Sequence, residues 1–208
     1  MTKTLTRVYS DHTAADRAVM RLKEAGLRDS DISIVASDAE GWHRPGGSDV
    51  DPKHDKDRDG KDDRAEGAAT GGGLGAVAGA AAGAATGLGL LAIPGVGPVV
   101  AAGWLATAVA GAAAGGVGGG IIGALVESGT SEKNATLYAE ALRRGGAIVT
   151  ARVPDDEEHR YASLMDQTAW DITKLETAYR ASGWRGYDPS APSYTPDEIR
   201  RERDAYRP

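Results

Sequence analysis

The hydrophobic pattern divides the chain into three regimes: a mixed flank up to residue 66, a run from Gly67 to Val126 without a charged side chain, and a second mixed flank. In the first flank TLTRVYS reads as a strand. DHTAADRAVMRLKEAGL follows with Ala15, Ala18, Val19 and Leu22 at helical spacing, which places them on one face. Ser10 or Asp11 can accept from the orphan N–H groups at the helix start, and Gly26 can close the end in a left-handed turn. DISIVAS then alternates Ile32, Ile34 and Ala36 with Ser33, Val35 and Ser37, the period of a half-buried strand. Such a βαβ unit is too small to bury its own face.

The second flank has the complementary pattern. SEKNATLYAEALRRGG predicts a helix with Ser131 as cap, Glu132 in its first turn and Arg143 and Arg144 in its last, the charge order that the helix dipole favours. AIVTARV places Ala147, Val149, Ala151 and Val153 on one strand face, DDEEHRYASLMDQ predicts a helix with an acidic start, Trp170 to Thr173 a short edge strand, and Lys174 to Ala181 a further helix. The two flanks together predict one split, ferredoxin-like α/β domain, an α+β fold interrupted by a long Gly/Ala-rich helical hairpin. Five segments follow from this: a first half-domain at 1–38, an acidic flexible linker at 39–66, the glycine-zipper hairpin at 67–127, a second half-domain at 128–183, and a Pro- and aromatic-rich tail at 184–208. Within the tail, Thr195, Pro196 and Glu198 spell a capping box with proline at the first helical position, so a short helix is expected from 196 to about 206. Trp184, Tyr187 and Tyr194 mark this tail as a strap that docks on a surface, that of the chain's own domain or, as the alternative, that of a partner.

Inside the uncharged run the period is carried by glycine. Gly71, Gly75, Gly79, Gly83 and Gly87 recur every four residues, as do Gly111, Gly115, Gly119 and Gly123, with Gly103 in phase two steps earlier. In a helix each step of four rotates by about 40° past a full turn, so these glycines line a slowly spiralling groove where backbones can approach closely. LAIPGVGPVV supplies a reversal, because Pro94 and Pro98 disfavour helix before them and Gly95 and Gly97 permit positive φ. Helices are therefore expected near 69–92 and 98–126, each longer than the roughly 20 residues that cross a bilayer. A membrane-inserted hairpin in the bacterial inner membrane follows, with the α/β domain on the cytoplasmic side and Trp104 near an interface. The competing expectation is a cytoplasmic protein whose hairpins bury one another as the core of a homo-oligomer. Membrane lipid and further copies of the chain are the expected partners.

Composition removes several functions. The net charge of −6 and pI near 5.3 leave no basic face for nucleic acid. The absence of cysteine excludes a disulfide framework, a thiolate zinc site and a cysteine nucleophile. MTKTLTRVYSDH has no apolar core or cleavage site of a secretory signal. His12, His43, His54 and His159 are scattered, Ser10 and Asp11 of the Ser-Asp-His triplet are engaged in capping, and the glycine run lacks a phosphate-loop motif. No enzymatic activity and no small-molecule substrate are expected.

One motif points to a cation. DKDRDGKDDRAE, residues 55–66, matches a twelve-residue calcium loop, with Asp55, Asp57 and Asp59 at positions one, three and five, Gly60 at six, the Lys61 carbonyl at seven, Asp63 at nine and Glu66 at twelve. Asp62 stands where such loops place an aliphatic residue, and the preceding GWHRPGGSDVDPKH cannot form an entering helix. A solvated charged linker is the competing reading.

The order of these parts resembles a known family. TRVYSDHTAADRAVMRLKEAGLRDSDISIVAS, the AIPGVGPVVAAG turn and LYAEALRRGGAIVTARV together resemble the general stress protein 17M-like (heat-induced stress protein) domain family of bacteria, over about residues 4–180. The resemblance implies a stress-associated bacterial protein without known catalysis, often carrying an inserted glycine zipper, and it brings no catalytic residues. The expected function is that of a non-enzymatic general-stress-type protein that associates with membrane or self-assembles. A soluble oligomeric interaction protein and a divalent-cation-responsive binding module are the alternatives.

Overall fold

The computed structural model describes residues 2–43, 89–93, 95–114, 120–188 and 190–205. Its elements in chain order are β1 (Thr2–Tyr9), α1 (His12–Glu24), β2 (Ile32–Ser37), β3 (Gly89–Ile93), β4 (Gly97–Ala102), α2 (Trp104–Ala114), α3 (Gly120–Glu127), α4 (Glu132–Arg143), β5 (Ala147–Pro154), α5 (Glu158–Asp166), α6 (Ile172–Ala181) and α7 (Pro196–Ala205). The helix boundaries follow local chemistry. Asp11 accepts from the Ala14 N–H at 2.9 Å, and α1 ends where Gly26 at φ +97° lets its own N–H reach the Lys23 carbonyl and that of Leu27 reach Leu22. Ser131 caps α4 through the Asn134 N–H. Asp171 accepts from Thr173 and Lys174 at 2.8 and 3.1 Å, which starts α6 at Ile172. The edge strand expected over Trp170 to Thr173 is therefore replaced by a helix cap.

The five strands form one sheet in the order β1-β5-β2-β4-β3, with every neighbouring pair antiparallel. It follows that β1 and β2 run parallel with β5 between them, a split βαβ unit in which α1 is the crossover. The expected α+β class is observed. Helices cover both faces. α1 and α5 pack on Leu5, Tyr9, Ile32, Ala36, Val149 and Val153, while α2, α3, α4 and α6 pack on Val8, Val35, Val99, Ala101 and Ile148. Because β2 is interior to the sheet and covered on both sides, Val35 and Ala36 are both buried, and the half-buried strand read from its alternation is a fully buried one.

The uncharged run departs most from expectation. Residues 89–93 and 97–102 are strands, not the ends of two long helices. The reversal falls where it was expected: the Val96 N–H donates to the Ile93 carbonyl at 3.0 Å with Gly95 at φ +72°, but it joins a β-hairpin. Pairing with β2 explains this, since Val99 and Val100 lie opposite Ser37 and Ala36 and are buried as branched residues on a pleated surface. The helices that follow, 104–114 and 120–127, have 11 and 8 residues. No helix among the described residues is long and apolar enough to cross a membrane, which overturns the transmembrane hairpin. Trp104 opens α2 and carries the Arg152 guanidinium 3.9 Å over its ring, so the position expected at a lipid interface is a cation–π contact on the body. The expected first helix over residues 69–88 lies outside the described residues.

The tail docks as a strap on its own body. The capping box is formed, with Thr195 N–H donating to Glu198 at 2.8 Å and Glu198 N–H donating back to the Thr195 hydroxyl at 3.4 Å. Ile199 of α7 is completely buried against Gly145, and Arg203 pairs with Glu40 at 2.5 Å just beyond β2. α7 thus lies over the end of the sheet where β1 and β2 finish and β5 begins.

Candidate functional site

The sheet's first edge is built into a cleft. An edge strand presents a row of unpaired N–H and C=O groups that must be covered or guarded. On β1 the Thr6 carbonyl accepts from the Tyr138 hydroxyl at 3.1 Å and from Arg7 Nη1 at 3.0 Å, and the Val8 carbonyl accepts from the Trp170 N–H at 2.8 Å. Tyr138 comes from α4 and Trp170 from the segment before α6, so both helices reach over the edge. Between them lies a cleft of about 520 Å³ whose polar wall is Arg7, Asn134, Asp166 and Asp171 and whose apolar wall includes Val8 and Ile172.

The charges in this cleft are already matched. Arg7 Nε donates to Asp166 Oδ1 at 2.5 Å, and this hydrogen bond holds the guanidinium above its ordinary range against the opposing effect of burial. The Asp171 carboxylate is engaged by two backbone N–H groups. Burial pushes the Tyr138 phenol up, as it does Tyr9, whose hydroxyl donates to the Met165 carbonyl at 3.2 Å. Both phenols therefore stay protonated donors in neutral solution. The chemistry on display is hydrogen-bond closure of a β edge. Tyr138→Phe keeps the ring and removes one of two donors to the Thr6 carbonyl, so a loss of about 1 kcal/mol is expected, read from the urea midpoint at unchanged slope.

Of the residues singled out by sequence, the structure brings few together. Gly71, Gly75, Gly79, Gly83, Gly87, Gly115 and Gly119 lie outside the described residues, as do Asp55, Asp57, Asp59, Lys61, Asp63 and Glu66 of the calcium-like loop. Gly111 falls within α2 and Gly123 within α3, where a Cβ added to Gly123 would meet nothing within 4 Å among the described residues. Among the described residues no group of three or more His, Asp or Glu is placed to hold a metal ion. His12 stacks on Trp42 with ring centroids 3.9 Å apart, and the Trp42 indole donates to the Ser37 carbonyl at 2.7 Å. Ser10 donates to Asp11 at 2.8 Å while Asp11 caps α1, the capping job expected of this pair.

Sequence reasoning missed a buried charge cluster beneath the tail. Glu140 retains only 1% of its surface exposed. It accepts two hydrogen bonds from Arg143, at 2.8 and 2.7 Å, and one from Arg144 Nε at 2.6 Å. Arg144 reaches on to Glu202 of α7 at 2.6 Å and lies 4.2 Å over the Tyr179 ring, while Arg143 lies 4.5 Å over Tyr194. Burial alone would lower the proton affinity of Arg144, but its hydrogen bonds to Glu140 and Glu202 outweigh this and hold the guanidinium above its usual range. Arg143 and Arg144 were legible as dipole-complementing charges. The signal for more was the spacing of three and four residues from Glu140, which places all three on one helix face.

No family model, curated protein or solved structure matches the chain. The geometry of the sheet edges and of the tail cluster is therefore what bears on function.

Proposed function

We propose that this chain is a non-enzymatic protein that works by self-association, a folded α+β body carrying its Gly/Ala-rich segment as an insertion. The four-residue period of Gly71 to Gly87 and of Gly111 to Gly123 supports self-association, and the interleaving of the two flanks supports the folded body that carries it. β5, which follows the insertion, lies between β1 and β2, which precede it. Neither flank can complete the sheet alone, so the body closes only when both meet. Both ends of the segment from 44 to 88 are then held by one folded unit: His43 N–H is fixed by Asp38 at 2.9 Å on one side, and Gly89 begins β3 on the other. The split βαβ unit also supports the ferredoxin-like description, and the segments that resemble general stress protein 17M-like domains support a bacterial stress role.

Self-association is tested on the full chain by light scattering, comparing the wild-type protein with Gly79→Leu and Gly115→Leu. A wild-type oligomer that shifts toward monomer in these variants is the expected result. A monomeric wild-type chain would refute the reading, and an oligomer of unchanged size in both variants would remove the glycines from it.

A further inference from the structure

The C-terminal helix meets the body in the manner of a bound ligand. Of the residues in α7 only Ile199 is buried, and it belongs to neither of the hydrophobic clusters that pack on the two sheet faces. It seats in a hole left by the missing side chain of Gly145, where an added Cβ would run into the isoleucine. Charged pairs accompany this knob: Arg144 donates to Glu202 at 2.6 Å, Arg203 pairs with Glu40 at 2.5 Å, and Arg200 lies 3.9 Å from the same Glu40 carboxylate. One apolar anchor inside a polar rim is the anatomy of an interface between separate molecules.

The charges on the body are incomplete without this helix. Glu140 supplies one carboxylate for the two guanidiniums of Arg143 and Arg144, so one positive charge is in excess until Glu202 arrives. Among the described residues Glu40 finds its cations on α7 alone. Between α6 and α7 the described chain forms no helix or strand, so α7 can leave without unwinding an element of the body. Few buried apolar contacts and a rim of charge pairs place such an element at the low end of local stability. We infer that α7 is a detachable latch. The groove formed by Glu40, Arg143, Arg144 and Gly145 is a docking site for an amphipathic helix that carries an isoleucine knob, an acidic residue three positions on and a basic residue four positions on, and the chain's own tail fills it in cis. Glu40 stands three positions before His43, the last described residue ahead of the inserted segment, so docking ties the tail to the root of that segment.

Hydrogen exchange of the full wild-type chain reads the latch without any substitution. The amides of α7 are expected to exchange about tenfold or more faster than those of α4 and β5 through local opening, and the gap is expected to widen at about 1 M sodium chloride, where charge pairs are screened. Matching rates for α7 and β5 would mean that the tail leaves only when the whole fold does, and the latch falls. A labelled peptide of residues 190–208 then tests the groove. In full-chain Ile199→Asp the chain's own helix is undocked while both sheet clusters keep their members. The peptide is expected to bind this variant with a dissociation constant about tenfold or more below that for the wild type, whose tethered tail competes at an effective concentration of about millimolar. A peptide carrying Glu202→Arg is expected to lose this binding. An Ile199→Asp chain that fails to fold, one that folds and does not take up the peptide, or equal binding of the two peptides overturns the assignment. None of these readouts depends on whether copies of the chain associate.

Discussion

Glu140→Gln is expected to destabilise the fold by about 3 kcal/mol, the larger part of what removing one partner from a buried ion pair costs. Glutamine has nearly the shape of glutamate, so the loss isolates charge. Arg144, with only 5% of its side-chain surface exposed, and Arg143 Nη2 both donate to Oε1, where an amide oxygen still accepts but without the carboxylate charge, while the Arg143 Nε bond to Oε2 is lost to an NH2 group that cannot accept. Glu202, whose own side chain is 24% exposed, then remains as the carboxylate paired with Arg144, and Arg143 is left without one among the described residues. For a chain of this length each kcal/mol lowers the melting temperature by about 2–4 °C, so thermal unfolding should begin well below that of the wild type. Glu202→Gln sets the scale from the other side. It leaves Arg144 paired with Glu140, and a loss of about 1 kcal/mol is expected. Comparable losses for the two variants, or a loss under about 1 kcal/mol for Glu140→Gln, would show that the cluster is solvated and that the buried carboxylate is not what holds the arginines.

The cluster also shows where legibility ended. Three of its members stand in a local pattern that was readable: Arg143 and Arg144 at a helix end and Tyr194 in the strap. What joins them is a tertiary contact between α4 and α7 separated by nearly sixty positions, as in the pairing of Arg144 with Glu202, and no local period encodes it. The same division runs through the fold. Apart from Trp170 to Thr173, read as a strand and observed as a helix cap, the strands, caps and helices of both flanks were legible because their periodicity and their stop signals agree. The order of the sheet was not: the apolar face of β5, Ala147, Val149, Ala151 and Val153, fits any covered strand, and nothing in its local pattern sets it between β1 and β2. In the uncharged run the reversal was legible from Pro94, Gly95, Gly97 and Pro98, but its type was not. Runs of five or six apolar residues fit a strand and a segment of buried helix equally well. The four-residue glycine period pulled Gly103 and its neighbours into a helical reading, although Val99 and Val100 favour a strand.

Gly103 and Gly123 turn that error into a measurement, because a helical zipper and the observed fold predict different outcomes for them. Gly103→Ala is expected to destabilise by about 3 kcal/mol or more, combining a left-handed backbone penalty of about 1–2 kcal/mol with overpacking of about 1–3 kcal/mol. Its φ is +83°, and a Cβ there would sit 2.4 Å from the Ile32 carbonyl oxygen and 2.9 Å from Ser33 Cα. Both are backbone atoms of, or beside, β2, which is fixed on each side by β5 and β4, so neither can yield cheaply. The corner also aims α2, since the Ser33 hydroxyl donates to the Ala102 carbonyl at 2.6 Å and accepts from the Leu105 N–H at 3.1 Å. Gly123→Ala should have the opposite sign. The residue lies inside α3, free space surrounds the position of its Cβ among the described residues, and alanine in a helix interior gains about 0.5–1 kcal/mol over glycine. Denaturant midpoints for the two variants decide the matter. Opposite signs identify glycine at 103 as a corner residue pressed against a strand. A destabilising Gly123→Ala would instead mean that another backbone packs on that face, as a zipper requires.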